Sequence, residues 1–329
     1  NAVTGDVENI ESFGPVIVTF QDANGNRYNL SEGQTATVRI PLAADANNPP
    51  QTLPLFYFDE TSGYWVEEGT ATLTTISGES YYEGTVSHFS TWSANYIYSS
   101  VQITGCIQDA ESNLVTLAEI QTQGRNYSGQ AVAFTDIAGN FSISAKPNSS
   151  VLISAKTSSG LTRTTEVYVG SEDYELAECI TLESSAAVVT LSWGENPRDL
   201  DTQFFGPSNE IGDDDFLVYF GHKEQVINTS SIWLDVDDVS SFGPEITTIS
   251  SFPYAGRYSY AVYHYSGSSD IAASPTRVEL DFAGQRQIFS PPQAEATECW
   301  AVFDFVVDDQ GAITVEAVGE WKNPAYCYA

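Results

Sequence analysis

The chain has 329 residues, with 44 acidic side chains against 12 basic ones and a formal charge of −32. That balance excludes nucleic acid and anionic membrane surfaces as natural partners, because a polyanion is repelled; cations and basic surfaces remain. The acid is spread through apolar-patterned sequence, so most of it reads as solubility charge on a folded protein.

The 18 Tyr, 17 Phe and 6 Trp, with abundant Thr, Val, Ser and Gly, are the composition of strands and turns. No 3.6-residue apolar periodicity is sustained, and no run of about 18 apolar residues marks a membrane span. With no Met and no signal peptide, the chain is expected to be a processed protein or a piece of a larger one. Its four cysteines, Cys106, Cys179, Cys299 and Cys327, lack the C-x-x-C spacing of a zinc ribbon. Of three possible pairings, Cys106–Cys179 and Cys299–Cys327 keep each bridge inside one module. Disulfides imply an oxidising, extracellular or cell-surface location.

Three modules follow in chain order, spanning residues 1–97, 98–185 and 186–329. In the first, the strand run Val16–Phe20 precedes a turn at Asp22–Gly25, and Gln34–Ile40 alternates. Leu55–Phe58 and Tyr64–Val66 flank a hairpin turn at Asp59–Gly63, and Tyr81–Val86 leads into His88-Phe89-Ser90. About seven short strands at this spacing predict a β-sandwich. Over Pro54–Asp59, Gly63–Trp65 and Val86–Trp92 the module resembles an extracellular β-sandwich family. Its His88-Phe89-Ser90 also looks like the His-Phe-Ser of ZU5-type domains, some of which cut their own backbone before the Ser. The resemblance implies Ser90 attacking the Phe89 carbonyl with His88 as base. The competing expectation is a Ser and a His that pack and hydrogen-bond within a strand.

The second module carries strand runs at Val101–Gln108, Leu117–Gln121, Gln130–Phe134 and Val151–Ala155. Gly105, Asp109 and the Thr135-Asp136…Gly139…Phe141 turn resemble the carboxypeptidase-regulatory-like, transthyretin-like sandwich. That resemblance implies a spacer or binding unit without a catalytic group.

The third module opens on Ala187–Trp193 and continues through Leu217–Phe220, Ser231–Leu234, Ile246–Ile249, Tyr258–Tyr263, Arg277–Phe282, Trp300–Val306 and Ile313–Val318. Its Trp193, Asp199-Leu200-Asp201, Leu234–Asp237 and Gly243-Pro244-Glu245 resemble a bacterial secreted β-sandwich family of uncharacterised function.

Calcium takes six to eight oxygens, mainly carboxylate and carbonyl, at turns that can wrap it. Asp199 and Asp201 share one face of an extended segment, and Asp235 and Asp237 repeat the spacing. With Glu245, and with Asp213, Asp214 and Asp215 in a nearby turn, they make a candidate calcium site. Four carboxylates packed together without a cation raise one another's pKa. The competing expectation is turn-capping Asp residues facing water. Tyr258, Tyr260 and Tyr263, near Tyr254 and Tyr265, form a candidate platform for sugar rings or protein partners, although alternation sends half of such residues to the core.

Catalysis has little support. The three His, at 88, 222 and 264, make no metal pair, and no Gly-x-Ser-x-Gly elbow occurs. The Asn-x-Ser/Thr sites at Asn29, Asn126, Asn140, Asn148 and Asn228 would be glycan acceptors in a eukaryotic secretory path; most of them read as ordinary turn residues. The expectation is an all-β, non-enzymatic chain of three sandwiches of immunoglobulin-like, transthyretin-like and jelly-roll-like type. It would serve as a structural or adhesive surface protein, a fibre or stalk subunit that meets copies of itself, surface proteins or glycans. Its alternatives are a carbohydrate-binding accessory region of a secreted enzyme, and a module that cleaves itself at Phe89–Ser90.

Overall fold

The computed structural model describes residues 8–43, 46–157, 160–183, 185–212 and 215–328. Among them the chain is all-β, with two short 3-10 turns and no α-helix.

The first module contains β1 (Asn9–Ile17), β2 (Phe20–Gln21), β3 (Arg27–Tyr28), β4 (Ala36–Pro41), β5 (Thr52–Asp59), β6 (Tyr64–Ile76), β7 (Glu79–Val86) and β8 (Thr91–Tyr98). Its main sheet runs β1-β8-β5-β6-β7-β4, and β2 and β3 form a separate ribbon. The two layers come from one sheet curling until its edges meet. Ala43 N–H, just past β4, donates to the Phe13 carbonyl of β1 at 3.0 Å, and the Phe13 ring meets Tyr82 edge-on. Leu53, Leu55, Ile40 and Trp92 fill the space between.

The second module contains β9 (Val101–Gln108), β10 (Glu119–Gly124), β11 (Gln130–Phe134), β12 (Asn140–Ala145), β13 (Ser149–Lys156), β14 (Leu161–Thr162), β15 (Thr165–Val169), β16 (Tyr174–Glu175) and β17 (Ile180–Glu183). β10 lies between β11 and β13, while β9 pairs with β12 and, in parallel, with β16 and β17. Ile103, Ile107, Ile120, Phe141 and Ile153 pack between them. The Cys106–Cys179 disulfide ties β9 to the segment entering β17.

The third module is a two-sheet sandwich of β18 (Ala187–Ser192), β19 (Asp199–Pro207), β20 (Asp215–Val218), β21 (Glu224–Ile227), β22 (Ser230–Val236), β23 (Glu245–Ile249), β24 (Gly256–Ser266), β25 (Arg277–Phe282), β26 (Gln285–Phe289), β27 (Cys299–Val307) and β28 (Ile313–Lys322). One sheet runs β21-β22-β23-β18-β25-β26 and the other β20-β19-β24-β27-β28. Trp193, Leu200, Phe204, Tyr258, Tyr260, Trp300, Phe303 and Phe305 form an aromatic core between them. The Cys299–Cys327 disulfide pins the closing 3-10 turn, Pro324–Tyr328, to β27. Both disulfides follow the pairing expected from the sequence.

The modules are joined by ion pairs whose acidic partners are buried. Glu11 of β1, 1% exposed, accepts from Lys146 Nζ at 2.7 Å and from Ser128 N–H at 2.9 Å in the second module. The Lys146 ammonium also stands over the rings of Tyr96, Tyr98 and Tyr127. Between the second and third modules, Leu152 packs with Val236 and Ile246. Arg163 pairs with Asp235 at 2.8 Å, and Arg125 with Asp238 at 3.0 Å.

Candidate metal centre

The site arises where one strand loses a neighbour. β24 flanks β19 from Asp199 to Phe205, but β20 pairs only with Phe204–Pro207. The first half of β19 therefore keeps one open edge, facing the seam with the other sheet. Glu245, the first residue of β23, crosses that seam and accepts the Thr202 N–H at 2.5 Å. β22 shifts register between Leu234 and Val236 and then ends, so Asp237 leads into a loop instead of continuing the strand. That loop is tied to the end of β18 by Phe242 N–H to the Gly194 carbonyl at 3.0 Å and Trp193 N–H to the Phe242 carbonyl at 3.3 Å. Its residues Ser241, Phe242 and Gly243 have φ of 98°, 69° and 72°, a run of left-handed backbone that sets the direction from which Glu245 enters.

Asp201, Asp237 and Glu245 each offer one ligand atom, and the three lie within 4.8 Å of one another. Asp201 is 2% exposed and Glu245 fully enclosed. Asp199 Oδ1, Asp201 Oδ2, Asp237 Oδ1 and Glu245 Oε1 are buried without a hydrogen-bond partner. On the same face of β19, the enclosed Gln203 leaves both amide atoms unpartnered as well. Such atoms are rare in folded interiors and each costs about 1–3 kcal/mol. Lys223 Nζ lies 2.7 Å from Asp237 Oδ2, and the lysine is itself half exposed.

Burial pushes Asp201 up to about 8, with the charges of Asp199 and Asp237 adding to it. Burial, then Asp237 and Asp238, push Asp199 up to about 6 against a small opposing pull from Arg198. Glu245 is raised well above the ordinary carboxylate value by complete burial, despite the Thr202 hydrogen bond that favours its charge. Turn carboxylates elsewhere behave oppositely. Asp22, Asp59 and Asp109 accept hydrogen bonds from Asn26, Ser62 and Asn113 respectively, with turn backbone N–H groups adding to them, and are lowered. Those acids complete their turns by themselves; the cluster on β19 and β23 needs protons or a cation. An all-oxygen donor set with several carboxylates suits a hard cation such as calcium, and lacks the nitrogen and sulfur that zinc or copper prefer.

The expected ligands divide. Asp201, Asp237 and Glu245 converge, with Asp199 close enough for its charge to act on Asp201, but Asp235 does not join them. Both its oxygens are used elsewhere, on Arg163, the Thr164 N–H and Thr248 Oγ1. The register shift and strand end between positions 235 and 237 break the alternation that places i and i+2 on one face. Asp213 and Asp214 lie outside the described residues, and Asp215 begins β20. Gln203, Lys223 and Asp238 were not anticipated. The only sequence signal for Asp238 is its place beside Asp237, and for Gln203 its even spacing from Asp201.

The expected tyrosine platform is also corrected. Tyr258 and Tyr260 are 0% and 1% exposed. Both faces of β24 are covered: Tyr258, Tyr260 and Val262 lie in the core between the sheets, and Ala261 and Tyr263 pack with Cys327 and Tyr326 of the disulfide-held closing turn. The Tyr258 hydroxyl donates to the Tyr254 carbonyl, and the Tyr260 and Thr202 hydroxyls are 2.9 Å apart. Tyr263 is half-buried against Tyr328. At the His-Phe-Ser motif, Ser90 Oγ donates to the Phe58 carbonyl at 3.1 Å. His88 lies against Tyr57, Trp92 and Glu68, and the Phe89 N–H donates to Asn29 Oδ1. Asn148 and Asn228, both with φ of 55°, occupy left-handed turn positions.

No family model matches the chain, and no curated protein matches it. Among solved structures, the chain is similar to one described as unknown function protein SAV2460, at 17% identity and a TM-score of 0.34, over 44% of this chain and 95% of that one. It is also similar to a streptococcal ancillary pilin, at 9% identity and a TM-score of 0.22, over 80% of this chain and 96% of that one. Likenesses this distant carry no functional argument.

Proposed function

We propose that the chain is a structural or adhesive unit of an extracellular surface, made of docked β-modules that meet copies of the chain, surface proteins or glycans. In this reading it does no bond chemistry, and a calcium ion bound by Asp201, Asp237, Glu245 and Asp199 locks the third module. The observation that carries the calcium reading is the set of enclosed carboxylate oxygens without partners at one corner of the sandwich. The two disulfides support an oxidising compartment, where calcium is abundant. Among the described residues no helix is long and apolar enough to cross a membrane.

Calorimetric titration of calcium into chelator-stripped protein tests this. One ion per chain is expected, with a dissociation constant of about 10⁻⁴ to 10⁻³ M, the range of extracellular modules. Magnesium, which dehydrates reluctantly, binds more weakly. Absence of both binding heat and any rise in melting temperature at about 10 mM calcium refutes the site.

A further inference from the structure

We infer that calcium uptake by the third module is coupled to its docking on the second, through the four residues Asp235–Asp238. This rests on the calcium reading above and adds a consequence for the shape of the whole chain. Asp237 is the only one of the four among the converging carboxylates. The other three belong to the interface between modules. Asp235, its side chain fully enclosed, holds Arg163 at 2.8 Å and the Thr164 N–H at 3.1 Å. Val236 packs on Leu152 of the second module. Asp238 holds Arg125 at 3.0 Å, and Arg125 also pairs with Glu166 at 2.9 Å within its own module. The Arg125 carbonyl in turn accepts from Asn47 of the first module at 3.4 Å, so this arginine touches all three modules.

A ligand and three docking residues are thus consecutive on one chain. With no cation, the enclosed carboxylates of Asp201, Asp237 and Glu245 crowd one another, and Lys223 beside Asp237 and Arg198 beside Asp199 offset only part of that repulsion. A divalent ion turns that repulsion into attraction and fixes residue 237. Asp238 is one peptide unit away and Asp235 two, so their geometry toward Arg125 and Arg163 is restrained with it. Two sites that share a rigid segment bias each other equally, as linkage requires. The cation is therefore expected to stiffen the junction between the second and third modules, and an intact junction to raise cation affinity.

The test uses the full chain with Arg125→Gln and Arg163→Gln combined; neither side chain touches a carboxylate oxygen of Asp201, Asp237 or Glu245, although Arg125 also reaches the Asp237 carbonyl at 3.5 Å. Folding is checked by near-ultraviolet circular dichroism. The expected result is one calcium bound with about tenfold lower affinity than wild type, within the usual range of such couplings. In parallel, spin labels on exposed positions of the second and third modules report the distance distribution between them. Calcium is expected to narrow that distribution in wild type but not in Asp201→Asn. If wild type binds calcium while both the affinity of the double variant and the wild-type distribution stay unchanged, the coupling is overturned and the calcium site survives. If wild type binds no calcium, both readings fall.

Discussion

Asp201 shows how one carboxylate is set apart from 43 other acidic residues in the chain. Most turn aspartates meet their own backbone N–H groups and are content without help. Asp308, for example, accepts from Gln310 and Ala312 at 2.9 and 2.8 Å. Asp201 has burial and two like charges but no donor on Oδ2. Replacing it by Asn keeps the shape and removes the charge. Asp201→Asn is expected to raise the melting temperature of the calcium-free protein by a few degrees at neutral pH, corresponding to about 1–2 kcal/mol, because folding no longer has to take up a proton at this buried carboxylate. The same variant is expected to show no calcium-dependent rise. Differential scanning calorimetry with and without calcium reads both; a variant that melts below wild type without calcium contradicts this account of the pocket.

At the scale of elements, the pocket depends on the loop between β22 and β23. Gly243 sits at φ of 72°, where an L side chain is strained, and a Cβ there falls 2.7 Å from the Trp193 ring. Trp193 is 2% exposed and packed in the core, so it cannot yield. Gly243→Ala is therefore expected to cost about 2–3 kcal/mol, combining backbone strain and overpacking. It is also expected to weaken calcium binding, since Glu245 follows two residues later. Denaturant unfolding gives the first number and calorimetry the second. An alanine variant of wild-type stability removes the argument that this loop shape is required.

For the whole molecule, the raised carboxylates make stability depend on pH in an unusual direction. Asp201 in the folded chain binds its proton more tightly than in the unfolded chain, where the value is near 4. The folded state thus holds more protons between pH 4 and about 8, and its stability falls as pH rises through that window. Asp199, raised to about 6, adds to the fall in its lower part. Without calcium, the melting temperature of the third module is expected to drop by about 5–10 °C from pH 5 to pH 9. Saturating calcium, which replaces the protons, flattens the profile. The −32 charge imposes a separate, general repulsion that about 0.5 M salt relieves. That relief is common to wild type and Asp201→Asn, whereas the pH slope is reduced in the variant. An equal pH slope in the two proteins argues against Asp201 as its source.

The sequence by itself determined the strand-built class, because alternation, aromatic content and turn residues are local signals that act over two to five positions. It also pointed to both disulfides, since each pair falls within one stretch of continuous strand pattern. It named the three carboxylates that meet and the neighbouring Asp199, by spacing on one strand and by clustering along the chain. Only tertiary structure decided which of them face one another. The stop of β20 short of Asp201, and the shift that turns Asp235 toward Arg163 and leaves Asp237 in the pocket, are pairings between distant segments. The same holds for Tyr258 and Tyr260: alternation assigns a residue to a face, but whether that face meets water depends on what packs against it, and here both faces of β24 are covered.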